Sequence, residues 1–187
     1  MRELALHILD LVQNSIEAGA GKVTLEIVED LKSDTLAIRV SDNGKGMTQE
    51  DCQRAVDPFV TSRKTRKIGL GLPLIQMSAQ HCDGFLAIDS APGKGTTVEA
   101  VYRHSHIDRP PLGNMVDTLK TLLVGNPSLD FHYMHIVNTR RFAISTMEIT
   151  GILGEVPLTH PEVLEWLQEY LFLQLSILYG GAENENP

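Results

Sequence analysis

Apolar positions recur at helical spacing from the start of the chain. Leu9, Val12 and Ile16 form a stripe within residues 3–18, and the Gly-Ala-Gly of residues 19–21 ends the predicted helix. Residues 23–28 and 35–41 then alternate apolar and polar, as half-buried strands do, with a polar turn between them. The pattern predicts an antiparallel hairpin. A glycine loop over residues 42–47 follows, and Thr48 is placed to cap a short helix over residues 50–56, which has acids in its first turn. Residues 57–67 read as a basic loop, and 68–71 lead into a helix that runs to about His81. Two further strands, 84–90 and 96–103, flank the turn Pro92-Gly-Lys-Gly95.

The periodicity changes after Arg103. Residues 104–114, with two prolines and no regular pattern, read as a linker. Residues 115–181 read as a small α+β domain of unknown role: a helix over 115–124, a strand pair at 131–138 and 141–147, and a long helix over 161–180. The tail, 182–187, is polar and expected to be disordered. In the long helix Val163, Trp166, Leu167, Tyr170, Leu171 and Leu178 form one stripe, and Phe172, Leu173, Leu175 and Ile177 widen it almost all round. Such a helix needs burial, against the neighbouring hairpin or in a homodimer. His132 and His135 fall on opposite faces of their strand, which argues against a metal site between them. His104 and His106, in the linker, are weak candidates for phosphoacceptors.

Composition narrows the classes. The chain has 187 residues, 42% hydrophobic and 21% charged, as ordinary globular proteins do. A net charge of −8 argues against a general nucleic-acid binder. The two cysteines, Cys52 and Cys82, are far apart and lack metal-ligand spacing. No signal peptide is visible, and the apolar run at 171–179 is too short to span a bilayer. The expectation is a cytoplasmic protein without a membrane partner.

Three constellations carry chemistry. Asp42-x-Gly44-x-Gly46 follows directly on a strand; the glycines let the backbone turn sharply and admit a flat ligand, and a carboxylate there can accept a hydrogen bond from an amino group. An Asp before glycine is also a common turn. Gly69-Leu70-Gly71-Leu72 opens a helix, whose free N–H groups favour anions, beside Arg63, Lys64, Arg66 and Lys67. A solvated basic loop is the plain alternative. Asp10 and Asn14, four apart, share a helix face with His7 and Glu17. Mg²⁺ bound to phosphates needs only one or two protein oxygens, so the Asn14 amide would serve and Asp10 could hold a water.

The order of these pieces within about 90 residues resembles the ATP-binding domain of the GHKL superfamily, shared by histidine kinases, DNA gyrase B subunits, mismatch-repair ATPases and a heat-shock chaperone. "DNGKGM", "DPFVTSRK", "GLGLPLI" and "SAPGKGTTVEAVY" are most similar to the histidine kinase boxes, and the resemblance covers residues 1–103. It implies a two-layer α/β sandwich of the Bergerat type, in the α+β class, followed here by the small C-terminal α+β unit. It implies ATP and Mg²⁺ as cofactors. By the resemblance Asn14 matches the magnesium-binding asparagine and Asp10 the acidic residue four before it, which would be catalytic. Asp42 matches the adenine-reading aspartate, with Ala18, Gly44, Gly46 and Met47 around the base and Thr96 near the adenine amino group. Phe59 matches the box beside the nucleotide lid. The lid would hold Arg63, Lys64 and Lys67, and Gly69, Leu70, Gly71 and Leu72 would form the second glycine box.

Departures bear on function. The acidic residue is Asp10 where the family usually has Glu, and Lys67 stands where a first glycine is common. Only nine residues precede Asp10, so the helical hairpin that carries the phospho-accepting histidine of a sensor kinase is not expected upstream. The leading expectation is a stand-alone, histidine-kinase-like protein that transfers phosphate to, or regulates, a separate protein. Two alternatives stand beside it: an ATP-gated switch with slow hydrolysis, and a nucleotide-binding adaptor without turnover.

Overall fold

The alternating residues near the N-terminus form the expected hairpin. β1 (Lys22–Asp30) and β2 (Thr35–Asp42) pair antiparallel, with Val23 opposite Asp42 and Asp30 opposite Thr35. The computed structural model describes residues 3–57 and 71–181. The hairpin follows α1 (Leu4–Glu17), and α2 (Gln49–Ala55) comes after it, capped by the Thr48 hydroxyl accepting from the Asp51 N–H at 3.1 Å. α3 (Gly71–His81) leads to β3 (Phe85–Ala91) and β4 (Gly95–Arg103), the second antiparallel pair; β4 also pairs with β2.

The segment after Arg103 continues the same sheet. α4 (Met115–Gly125) precedes β5 (Asp130–Val137), which lies parallel to β1 with Lys22 opposite Asp130. β6 (Arg140–Ser145) pairs antiparallel with β5, so the strand order is β3-β4-β2-β1-β5-β6. The α+β segment expected after the linker thus shares a sheet with the residues before it. α5 (Thr146–Leu153) replaces the expected end of the last strand, and α6 (Pro161–Leu178) closes the described fold. Strand gives way to helix at Ser145 because its hydroxyl accepts from the Glu148 N–H at 3.2 Å and donates to the Glu148 carboxylate at 3.0 Å.

Two layers result. Val23, Leu25 and Ile27 of β1, Leu36, Ile38 and Val40 of β2, and Phe131 and Tyr133 of β5 are buried on the sheet face that the helices cover. Leu4, Ile8, Leu11 and Val12 of α1, Ile75 of α3, Leu119 and Leu123 of α4, and Leu167 and Leu171 of α6 join them in one core. Each such side chain contributes about 1.5–3 kcal/mol by leaving water. The opposite face is polar: Arg39 on β2 pairs with Glu99 at 2.6 Å and Glu26 at 3.5 Å across neighbouring strands.

The linker is held at both ends. The Leu4 and Ala5 N–H groups donate to the carbonyls of Pro111 and Leu112 at 2.9 and 2.8 Å, so the linker completes the first turn of α1. At the far end of β1, the Glu29 carboxylate accepts from His104 Nε2 at 2.8 Å, His135 Nε2 at 2.9 Å and the Tyr179 hydroxyl. Because Glu29 needs donors, His135 presents Nε2–H to it and leaves Nδ1 to accept from the Tyr133 hydroxyl at 2.8 Å. Burial alone would raise the Glu29 pKa, but hydrogen bonds from His135, Tyr179 and His104 override it and hold the carboxyl at about 2. His104 therefore turns Nε2 inward to Glu29, and His135 is fully buried with both ring nitrogens satisfied.

Candidate functional site

The end of β2 and the last turns of α1 meet at Asp42. Its Oδ2 accepts from the Ser15 hydroxyl at 2.7 Å, and its Oδ1 accepts from the Gly44 N–H at 2.8 Å and the Thr96 N–H at 3.3 Å. Three donors on three elements fix this carboxylate while leaving acceptor capacity, since two carboxylate oxygens offer about four lone-pair sites. Ser15 sits at an apolar register position of α1, one turn beyond Leu11, and is 4% exposed. Its burial is explained by donation of its single hydroxyl proton to Asp42; the Leu11 carbonyl, at 3.4 Å, is the longer alternative acceptor for the same proton.

Gly44 keeps the space beside this carboxylate open. A Cβ there would lie 3.0 Å from the Ala18 Cβ and carbonyl and 3.1 Å from Asp42 Oδ1. Ala18 in turn accepts from the Lys45 N–H at 3.0 Å, which ties the loop to the end of α1. Gly46 has φ +66°, and a Cβ on it would lie 1.9 Å from the Ala91 carbonyl oxygen. Asn43 accepts from the Gly21 and Lys22 N–H groups at 3.0 and 2.9 Å. Met47 N–H donates to Ser90 Oγ at 2.9 Å, and Ser90 Oγ lies 2.9 Å from Thr96 Oγ1. The 42–47 loop is therefore pinned at both ends by backbone and short side chains.

Asp10 and Asn14 lie on one flank of α1, both half-buried. Gly71, at the start of the described part of α3, packs against Asp10: a Cβ at Gly71 would be 3.7 Å from Asp10 Cβ and 3.9 Å from Oδ2. Leu72 is partly buried against the core. So Asp10 meets Gly71, while Ala18, Asp42, Gly44 and Thr96 gather one to two turns further along α1. Phe59, Arg63, Lys64, Lys67, Gly69 and Leu70 lie outside the described residues. Among the described residues no cluster of three or more His, Cys, Asp or Glu side chains is gathered as a metal site. Chemically, the site offers one anchored acceptor beside a glycine cradle, and a carboxylate with an amide one turn away.

Sequence reasoning missed Ser15, Asn43 and Ser90. Ser15 had a visible signal, a hydroxyl on the stripe that otherwise reads Leu4, Ile8, Leu11 and Val12. Ser90 had none, because its role depends on β3 lying beside the loop.

Known proteins align with this region. A protein of Caulobacter vibrioides described as a non-motile and phage-resistance protein is 34% identical over 54% of this chain and 13% of its own length. Sporulation kinase B of Bacillus subtilis is 37% identical over 51% of this chain and 22% of its own. A cell-division control histidine kinase of Brucella abortus is 33% identical over 50% and 10%. The chain thus spans less than a quarter of the length of these relatives. The crystal structure of the N-terminal domain of a DNA repair protein superposes with a TM-score of 0.54 at 18% identity, covering 83% of this chain and 58% of that one, a likeness of fold. Residues 2–105 match the model of the histidine kinase-, DNA gyrase B- and HSP90-like ATPases, more than half the chain, and the protein belongs to that family.

Proposed function

We propose that the protein binds ATP with Mg²⁺ and transfers phosphate to, or regulates, a separate protein. The observation that carries the nucleotide reading is the Asp42 carboxylate, held by Ser15, Gly44 and Thr96 beside a cradle that only glycine leaves open. Adenine, a flat ring with an exocyclic amino group, fits an anchored acceptor over Gly44 and Gly46, with Ala18, Met47 and Thr96 around it. Asn14 would give its amide oxygen to the magnesium, which needs few protein ligands when phosphates supply the rest. Bound there, the metal would neutralise phosphate charge, and phosphoryl transfer depends chiefly on positioning and such charge stabilisation. Asp10, beside Gly71, would orient a water or an acceptor hydroxyl. Phe59, Arg63, Lys64, Lys67, Gly69, Leu70 and Leu72 would form the nucleotide's phosphate side.

The sequence similarity to histidine kinases supports a protein acceptor, and a net charge of −8 favours protein over nucleic acid as partner. The reading is cytoplasmic; no helix among the described residues is long and apolar enough to cross a membrane. A homodimer through α6 has its candidate contact in Phe172, which is exposed.

An ATP-gated switch is the second reading. The bonds from Leu4 and Ala5 to Pro111 and Leu112 favour it, because they couple the helix carrying Asp10 and Asn14 to the linker that leads into α4. A nucleotide-binding adaptor follows if Asp10 does not support turnover. Incubation with γ-labelled ATP and Mg²⁺, following protein label and free phosphate separately, distinguishes the readings. Acid-labile protein label, on this chain or an added acceptor, supports histidine phosphorylation; free phosphate alone supports the switch; tight binding with neither leaves the adaptor, or a kinase whose acceptor is absent from the assay. No adenine-nucleotide binding, with Asp42→Asn indistinguishable from wild type, would overturn all three.

A further inference from the structure

At the opposite edge of the sheet from β3, between β6 and the C-terminal half of α6, lies a cavity of about 250 Å³ lined by Arg140, Arg141, Phe142, Gln174, Ile177 and Leu178. β6 is the terminal strand, so among the described residues one of its sides has no strand partner. The hairpin is closed by Val137 opposite Arg140 across Asn138 and Thr139. In such a hairpin alternate residues bond inward, so Arg140, Phe142 and Ile144 face β5, and the backbone groups of Arg141 and Ala143 point to the open edge. Both residues are exposed. Arg140 and Arg141 form no ion pair among the described residues, in a chain with net charge −8. Next to the cavity an aromatic row continues: Phe142 meets Tyr170 at 6.1 Å between ring centroids, and Tyr170 stacks on Trp166 at 5.4 Å.

We propose that this edge and groove dock an extended, acidic segment of a partner protein as an added strand. Its main chain pairs with Arg141 and Ala143, an apolar side chain enters the cavity over Ile177 and Leu178, and its carboxylates, on the opposite face of the added strand, meet Arg141, with Arg140 beside the strand end.

The probe is a fluorescein-labelled peptide of alternating Glu and Val, compared with a Lys-for-Glu version and a version with proline at alternate positions. Binding to the full chain is read by anisotropy and, with unlabelled peptide, by the emission of Trp166, the single tryptophan. The Glu–Val peptide should bind saturably and shift that emission. The Lys and Pro versions, and the double variant Arg140→Glu/Arg141→Glu, should bind at least about tenfold more weakly. Arg39→Glu, on the polar sheet face, should bind as wild type does. The proposal is overturned if the Glu–Val peptide does not saturate, if the Lys version binds equally, or if the double variant, folded by circular dichroism, retains wild-type affinity.

Discussion

Ser15→Ala tests the organisation of the proposed nucleotide site without touching the residue that would read the base. The Ser15 hydroxyl is buried and donates to Asp42 Oδ2 at 2.7 Å. A hydrogen bond to a charged group contributes about 1.5–3 kcal/mol. Two effects reduce that figure. Asp42 keeps its bonds from Gly44 and Thr96 and is only half-buried, so water can replace part of the loss. Alanine also gains about 0.5 kcal/mol in helix propensity over serine. The expected net destabilisation is about 1–2 kcal/mol, or a fall in melting temperature of roughly 2–8 °C for a domain of this size. Freed of one of three anchors, the carboxylate samples orientations that do not face the base, and affinity for ADP should fall about tenfold, or 1.4 kcal/mol. Urea unfolding gives the first quantity and isothermal titration with ADP the second. Unchanged ADP affinity in a Ser15→Ala protein would refute the claim that this hydroxyl organises the site. An affinity loss equal to that of Asp42→Ala would instead mean that the two side chains act as one unit.

Glu29 should make acid stability depend on a single buried carboxylate. Its pKa in the fold, about 2, lies below the ordinary 4.5, so its stabilisation is complete above 4.5 and is lost as pH falls toward 2. The stability gap between wild type and Glu29→Gln should be about 3 kcal/mol at pH 7 and should shrink steadily below pH 4.5, by urea unfolding at each pH; a gap independent of pH would contradict the assignment. Gly95→Ala should cost more than about 3 kcal/mol, or abolish soluble expression, because Gly95 has φ +84° and a Cβ there would lie 1.9 Å from the Asp42 carbonyl oxygen. Asp10→Glu should raise phosphate release from ATP about tenfold or more, since it restores the longer acidic side chain usual in the family at this position, and Asp10→Asn should eliminate it. Equal rates for both variants would remove Asp10 from turnover.

The ATP-binding half was legible because local signals and long-range order agree there. The stripe Leu9, Val12, Ile16 gave α1, the alternation of residues 23–41 gave β1 and β2, and the glycines of 42–47 sit where close approach admits no side chain. What sequence could not give was adjacency. β5 alternates as any half-buried strand does, and nothing in it names β1 as its partner; that choice follows from α4 bringing the chain back alongside α1. Ser145-Thr-Met-Glu148 did carry a capping signature that marks the start of α5, but the β-branched and aromatic residues before it made the strand seem to run on. The network around Glu29 was out of reach for the same reason as Ser90: its members come from β1, the linker, β5 and the end of α6.

The parallel pairing of β1 with β5 also governs how the chain comes to be folded. Lys22 waits for Asp130, and Leu4 and Ala5 wait for Pro111 and Leu112, so the contacts that finish the first strand and helix have very long sequence separation. Contacts of this kind slow folding, because loop closure is paid before the pairing is gained. During synthesis the ribosome would release the first hundred residues with one edge of β1 bare and the apolar face of α1 half covered, a surface open to holdase chaperones. A fragment cut at residue 105, where the family match ends, would keep that exposed state permanently. It should aggregate at concentrations where the full chain remains monodisperse by light scattering, even though every residue proposed to contact nucleotide is still in it.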